Sequence, residues 1–175
     1  MKKKLIELIK SKSPYLDAMT IDSSNLVFEE RVHLNCFHCH RYKVNWTCPP
    51  RIPDIDYRKA ILEYDNMLLV YCKMPFTKEK FDIVRRDSTN LLHRALLDAE
   101  KLLWENNYPL AVCFIGGSCK LCAQGCDPDR CRQPTLSRIP IEAAGINVVK
   151  SAESLGLKIS FPPKDCIWRV GLLLW

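Results

Sequence analysis

Seven of the chain's ten cysteines fall into two tight groups, and thiols with this spacing can converge on a metal. The first cysteine group is Cys36, Cys39 and Cys48, followed by Pro49-Pro50. The second cysteine group is Cys119, Cys122, Cys126 and Cys131. Because a thiolate binds a metal from about 2.3 Å, thiols a few residues apart on a loop can reach one centre. The pattern therefore predicts a metal protein.

The spacing favours iron–sulfur chemistry over zinc. Zinc sites are usually built from two Cys-x2-Cys pairs, or from one pair with histidines, whereas each group here has one such pair. Four thiols in a short run are typical of ferredoxin-type sites, although the last two gaps are each one residue longer here. The order Cys-x2-Cys-x3-Cys is the reverse of the radical S-adenosylmethionine motif, which excludes that chemistry. We predict one or two 4Fe–4S clusters, with structural zinc as the alternative.

The ligand count leaves one place open. Two 4Fe–4S clusters need about eight ligands, and the two groups supply seven thiols. Cys166 is one candidate for the remaining place, and His33, His38 or His40 beside the first group is another. An open iron is a further alternative, which would bind substrate as a Lewis acid, whereas a fully ligated cluster would only pass electrons. Crossed ligation, in which Cys48 or Cys131 serves the opposite group, also stays open.

Other residues near the cysteines could tune a cluster. Gly116-Gly117 would let the backbone approach closely and point N–H groups at its sulfides. Trp46 and Tyr42 are expected to shield the first site from water. Four arginines near the cysteine groups would offset cluster charge or bind an anionic substrate. They are Arg51, Arg130, Arg132 and Arg138. Glu142 is expected to pair with one of these arginines or to cap its helix. Cys72 and Cys113 are expected to be buried core thiols.

The elements that must position these residues indicate an α/β protein, with α+β as the alternative. The apolar runs 67–72 and 110–115 are predicted to be strands buried on both faces. A long helix with apolar residues at helical spacing, from Thr77 to about Trp104, separates them. A strand–helix–strand unit implies a right-handed parallel crossover. The expected core is thus a mixed, partly parallel sheet with flanking helices.

Shorter elements are predicted on either side of this unit. They are an N-terminal helix 1–12, strands at 26–28 and 32–34, a helix 56–64, a helical turn 140–144, a helix 147–156, and closing strands 157–161 and 167–175. Both cysteine groups then follow strands, in loops at strand C-termini. Ligands collect beyond those ends in parallel α/β sheets, so both groups are expected on one side of the sheet.

Composition limits the classes of function. A chain of 175 residues with 47% apolar residues predicts a single domain, 1–175, with a proper core. Neither a secretory signal nor a membrane-spanning run is evident, so we expect a cytoplasmic protein with reduced thiols. The formal charge of +6 counts cysteine as neutral; two oxidised clusters would lower it by about 4. No specific nucleic-acid partner is therefore expected, and the oligomeric state stays open.

The motifs together resemble a known family. They are Cys36-x2-Cys39, Trp46-Thr47-Cys48-Pro49-Pro50, the segment from Phe114 to Pro134 with the second cysteine group, and Arg138-x3-Glu142-Ala143-x-Gly145-Ile146-Asn147-Val148. This resembles the predicted metal-binding proteins of the domain of unknown function 2284, which occur mainly in anaerobic bacteria and archaea. The resemblance implies metal binding at these cysteines, with iron–sulfur expected, and it implies no reaction. Ile139-Pro140 stands where Pro-Ser is expected, and Asn147 where Asp is usual.

The expected function is therefore that of an iron–sulfur protein in anaerobic metabolism, which transfers electrons or assists a redox enzyme. A redox partner protein is expected. One alternative is an enzyme in which an incompletely ligated cluster binds substrate. Another is a zinc-stapled module that binds protein or nucleic acid. The residues leave open whether the protein is an enzyme, and they assign no catalytic residue.

Overall fold

The structure is a computed structural model that describes all residues, Met1–Trp175. Its helices and strands, in chain order, are α1 (Lys2–Ser11), β1 (Leu16–Ile21), α2 (Arg31–Phe37), α3 (Tyr57–Leu62), β2 (Met67–Pro75), α4 (Phe81–Trp104), β3 (Val112–Phe114), α5 (Val148–Ser154) and β4 (Cys166–Leu174). A 3-10 turn, Ile141–Ala144, precedes α5. Most of the cysteine-bearing chain lies in the two longest irregular stretches, before α3 and after β3.

The strands form one sheet in the order β1-β2-β4-β3, and every neighbouring pair is antiparallel. The prediction of a partly parallel sheet is wrong. β2 and β3 do run in the same direction, as the crossover through α4 requires, but β4 lies between them and pairs with both. The physical reason is the apolar run at the end of the chain. Such a run buries both of its faces only inside a sheet.

Helices and turns cover both faces of the sheet. Leu68 and Val70 of β2 face the core that α1 and α4 close. Met67 and Leu69 point the other way, into a second core with α3 and the turn Ile141–Ala144. Both faces of β2 are therefore buried, which explains its continuous apolar sequence. No helix of the structure combines the length and the apolar character that crossing a membrane would require.

Two glycines let β3 and β4 lie unusually close to their neighbours. A Cβ at Gly116 would lie 2.7 Å from the carbonyl oxygen of Val170 on β4. A Cβ at Gly171 would lie 2.6 Å from Leu96 Cδ1 on α4 and 2.7 Å from the Phe114 carbonyl oxygen. The end of β3 is thus held tightly between β4 and α4, and this fixes where the second cysteine group leaves the sheet.

Several short elements differ from the predictions. Residues 32–34 lie in α2 and not in a strand, Phe28 makes only an isolated bridge to Ile146, and 157–161 form no strand. β1 was not predicted, although the alternating burial of Leu16 and Ala18 is a strand pattern. Short apolar pieces suit a helix or a strand equally, so tertiary contacts decide between them. The long helix to Trp104 is confirmed as α4.

Candidate metal centre

The second cysteine group lies on a loop that is closed at its base by backbone hydrogen bonds. The Ile115 N–H donates to the carbonyl of Ile139 (3.0 Å), and the Ile141 N–H donates to the carbonyl of Ile115 (2.8 Å). The chain therefore leaves the sheet at Gly116 and returns at Ile139. Because both ends are pinned, the four thiols of this loop share one short, anchored segment, as predicted for a loop at a strand C-terminus.

The four thiols of the second group line one cavity, which we call the four-thiol cavity. Its volume is about 390 Å³, and Cys119, Cys122, Cys126 and Cys131 all line it. Each of these side chains is half-buried. Thiolates are soft donors that select iron–sulfur clusters, zinc and copper(I). The donor set therefore fits a thiophilic metal centre, which would sit inside the cavity.

The first group lines a second cavity of about 260 Å³, which we call the three-thiol cavity. Cys36 lies on α2, Cys39 in the turn after it, and Cys48 before Pro49-Pro50. The expectation that this group follows a strand is wrong, because α2 carries its first thiol. Cys39 is exposed and Cys48 is buried, so the cavity opens toward solvent on one side.

The two cavities adjoin because the two cysteine loops are hydrogen-bonded to each other. The buried Asn45 donates from Nδ2 to the carbonyl of Cys119 (3.2 Å), and Trp46 donates from Nε1 to the carbonyl of Asp127 (2.7 Å). Arg41 lines both cavities. Both groups thus meet on one side of the molecule, and Asn45 and Trp46 hold them there.

Three of the thiols are poor acids in their present environment. Burial, followed by repulsion from Cys39 and Cys36, raises the pKa of the Cys48 thiol to about 12. Burial likewise raises the pKa of Cys36 and of Cys119. A metal ligand must be a thiolate, so binding at these sites releases protons and depends on the positive charge of the metal.

A cationic wall lines the four-thiol cavity. It consists of Arg41, Arg85, Arg86, Lys120 and Arg132, with Asp82 as a carboxylate among them. Burial, followed by repulsion from Arg169 and Arg85, lowers the pKa of the Lys120 ammonium to about 8. The Nε atom of Arg169 is buried without a hydrogen-bond partner, whereas Arg85 Nε forms an ion pair with Asp82 Oδ1 at 3.4 Å. Arg85, Arg86 and Arg132 each have a carboxylate partner. Arg41 and Lys120 form no ion pair.

The arginines singled out from sequence have mixed roles. Arg132 lines the four-thiol cavity and pairs with Asp127 (3.1 Å). Arg51 stacks on the Trp46 ring, 4.1 Å from its centroid. Arg138 pairs with the buried Glu100 on α4, and Arg130 is exposed. Sequence analysis missed Arg41, Arg85 and Lys120 as members of the cationic wall, although Lys120 stands beside Cys119.

The other candidate ligands lie outside both cavities. Cys166 is the first residue of β4, opposite Pro75, rather than in a loop. His33, His38 and His40 are exposed, and none lines either cavity. Cys72 and Cys113 are confirmed as buried core thiols. No three His, Cys, Asp or Glu side chains meet closely enough to hold a single ion; the thiols surround the two cavities instead.

Glu142 occupies a position that differs from both expectations. It lines the three-thiol cavity together with Cys36, Cys39 and Cys48. None of the ion pairs of the structure involves it. Its Oε2 accepts a hydrogen bond from the N–H of Gly117 (3.2 Å). Burial raises the pKa of this carboxyl.

The fold and the two thiol-lined cavities define a cysteine-rich metal-binding protein of mixed α/β architecture. The chain belongs to the family described as "Predicted metal-binding protein (DUF2284)", whose model matches residues 19–175. This confirms the family resemblance, and the match includes all seven cysteines of the two groups. No curated protein and no solved structure is similar enough to this chain to match it.

Proposed function

We propose that the protein is an iron–sulfur protein with two 4Fe–4S clusters, one in each thiol-lined cavity, that transfers electrons or assists a redox enzyme in anaerobic metabolism. The observation that carries the proposal is the pair of adjoining cavities, one lined by four thiols and the other by three. Such clusters supply one-electron transfer between a donor and an acceptor protein. Reduced thiols suit the cytoplasm, where we place the protein.

The cationic wall supports this proposal through charge. A 4Fe–4S cluster with four thiolates carries about −2 when oxidised, and one electron more makes it more negative. Arg41 and Lys120, which line the four-thiol cavity and form no ion pair, would stabilise that charge. Charges and hydrogen bonds near a cluster set its potential. The basic residues of the cationic wall would then serve the metal centre, and they need no nucleic acid to explain them.

The adjoining cavities also support an electron path. The first and second loops contact each other through Asn45 and Trp46, so two clusters would be neighbours. Cys39 is exposed, so a cluster in the three-thiol cavity would lie near the surface. An electron could pass there to a redox partner protein.

An enzyme with an incompletely ligated cluster is the second candidate function. The observation that favours it is the three-thiol cavity, which lacks a fourth cysteine and opens toward solvent. An iron with a free coordination position would bind an oxygen- or nitrogen-bearing substrate as a Lewis acid. A new spectroscopic signal on addition of small ligands to the reduced protein would favour this function over electron transfer.

Metal analysis of protein purified without oxygen tests the main proposal. We expect about eight irons and eight sulfides per chain, and Cys122→Ala should lose about half of the iron. Cys166→Ala is the matched control, because this thiol lines neither cavity, and it should keep all of it. Stoichiometric zinc without sulfide, which a zinc-stapled binding module would show, contradicts the proposal, and so does unchanged iron in Cys122→Ala.

A further inference from the structure

We propose that Glu142 is the fourth ligand of the metal centre held by Cys36, Cys39 and Cys48. The inference rests on the proposed function only in that a metal centre occupies this cavity. The carboxylate would supply the ligand that the cysteine count lacks. The centre would then be one with three thiolates and one carboxylate, which is a mixed soft and hard donor set.

The first argument is placement. Glu142 lines the same cavity of about 260 Å³ as the three thiols. The hydrogen bond from Gly117 reaches Oε2 and no ion pair reaches either oxygen, so the carboxylate keeps lone pairs free for a cation. The other polar side chains that line the cavity are Asn35, Arg41, Tyr42 and Ser118, and none of them is a carboxylate or a thiol.

The second argument is electrostatic. Three thiols and one carboxylate face one small cavity; Arg41 also lines it, but no ion pair of the structure includes Glu142. A multivalent cation at the centre would attract all four of these groups once the thiols are ionised.

The third argument is rigidity. Glu142 lies in the turn Ile141–Ala144, which is anchored to the sheet by the hydrogen bond from the Ile141 N–H to Ile115. Ala143 is buried, and Gly145 ends the turn with φ of +80°. The carboxylate is therefore held on a fixed backbone and needs no rearrangement to reach the cavity, as a preorganised ligand requires.

Three substitutions of one residue test the proposal. Glu142→Ala should remove one iron or the whole cluster of this cavity, lowering iron from about eight to about seven or four per chain. Loss of a single iron should add the electron paramagnetic resonance signal of a three-iron cluster. Glu142→Cys should keep the full iron content but shift the signal and the reduction potential, because thiolate replaces carboxylate. Glu142→Gln should resemble the alanine variant.

The controls separate ligation from folding. Glu153→Gln changes an exposed carboxylate of α5 and should alter nothing. The signal of the cluster in the four-thiol cavity reports the fold of each variant. If Glu142→Ala fails to fold, Glu142→Cys and Glu142→Gln still decide the question. Wild-type iron content and unchanged spectra in the folded variants overturn the proposal.

Failure of this inference can be told from failure of the proposed function. Wild-type metal analysis alone decides whether iron and sulfide are present. If zinc is found instead, the iron–sulfur proposal is wrong, and zinc per chain in Glu142→Ala then tests the ligand. Unchanged zinc in that variant overturns the role of Glu142.

Discussion

At the scale of single residues, cysteines at different positions have different roles because their surroundings differ. Cys72 and Cys113 are buried among apolar residues, and burial raises the pKa of each thiol. Cys39 is exposed at the edge of a cavity with two other thiols. Residue type and spacing suggested this division in advance, because a lone cysteine in an apolar run packs as a small hydrophobe.

His93 makes stability depend on pH. It is fully buried on α4, its Nε2–H donates to the carbonyl of Leu136 (2.9 Å), and its Nδ1 has no partner. Burial lowers the pKa of His93 from 6.5 to about 4. Between pH 6.5 and 4, His93 therefore binds a proton in the unfolded chain but not in the folded protein. The free energy of unfolding falls as the pH drops through this range.

The expected size of this effect is about 2 kcal/mol of unfolding free energy between pH 7 and pH 5. Chemical unfolding at the two pH values measures it. His93→Gln, which keeps a donor for Leu136 but does not titrate, should show a pH dependence smaller by that amount. An equal dependence in both proteins would assign the acid sensitivity to other groups, such as the metal-binding thiols.

At the scale of elements, the position of the second cysteine group depends on how closely β3 approaches β4. Gly116 makes this approach, since the nearest atoms to an added Cβ are the backbone oxygen and nitrogen of Val170, at 2.7 and 2.8 Å. Backbone atoms of a central strand cannot move away without disturbing the hydrogen bonds of the sheet. The residue that begins the cysteine loop is thus constrained by packing rather than by the metal.

Gly116→Ala should therefore lower the unfolding free energy by about 1 to 3 kcal/mol and weaken iron binding in the four-thiol cavity. Thermal unfolding and iron content per chain measure the two effects. Gly156→Ala is the matched control, because a Cβ there meets nothing within 4 Å. Its positive φ of 77° should cost about 1 kcal/mol of strain, and its iron content should be unchanged. Equal iron content in Gly116→Ala and Gly156→Ala would contradict the proposal that the packing of Gly116 positions the four-thiol cavity.

At the scale of the whole molecule, a buried ion pair ties the cysteine loop to the helical layer. Glu100 on α4 is 1% exposed and Arg138, at the end of the loop, is 14% exposed. Arg138 Nε donates to both oxygens of Glu100, at 3.1 and 3.0 Å. Glu100 Oε1 also accepts the N–H of Cys113 on β3 (2.9 Å). One carboxylate thus joins helix, sheet and metal-binding loop.

Arg138→Met should destabilise the protein by about 3 to 5 kcal/mol, because it leaves a buried carboxylate without its partner. Adding Glu100→Gln should restore much of this loss, since the amide is neutral and still accepts from Cys113. Denaturant unfolding of the two single variants and the double variant gives the coupling energy. Additive losses in this cycle would mean that the pair contributes no interaction of its own.

The sequence by itself determined the features that are encoded within short stretches. The spacing of the cysteines indicated the two donor groups, the helical period to Trp104 indicated α4, and the apolar run at 67–72 indicated a doubly buried strand. Each of these signals lies within neighbouring residues, so it can be read without knowing how the chain folds.

Only the tertiary structure decided what depends on distant residues. It inserted β4 between β2 and β3, because an apolar C-terminal strand buries most surface in the middle of the sheet. It also brought Glu142 to Cys36 and Arg85 to Cys119. Such contacts join positions far apart in the chain and leave no local pattern, and the position of Glu142 among them is the basis of the ligand that we propose.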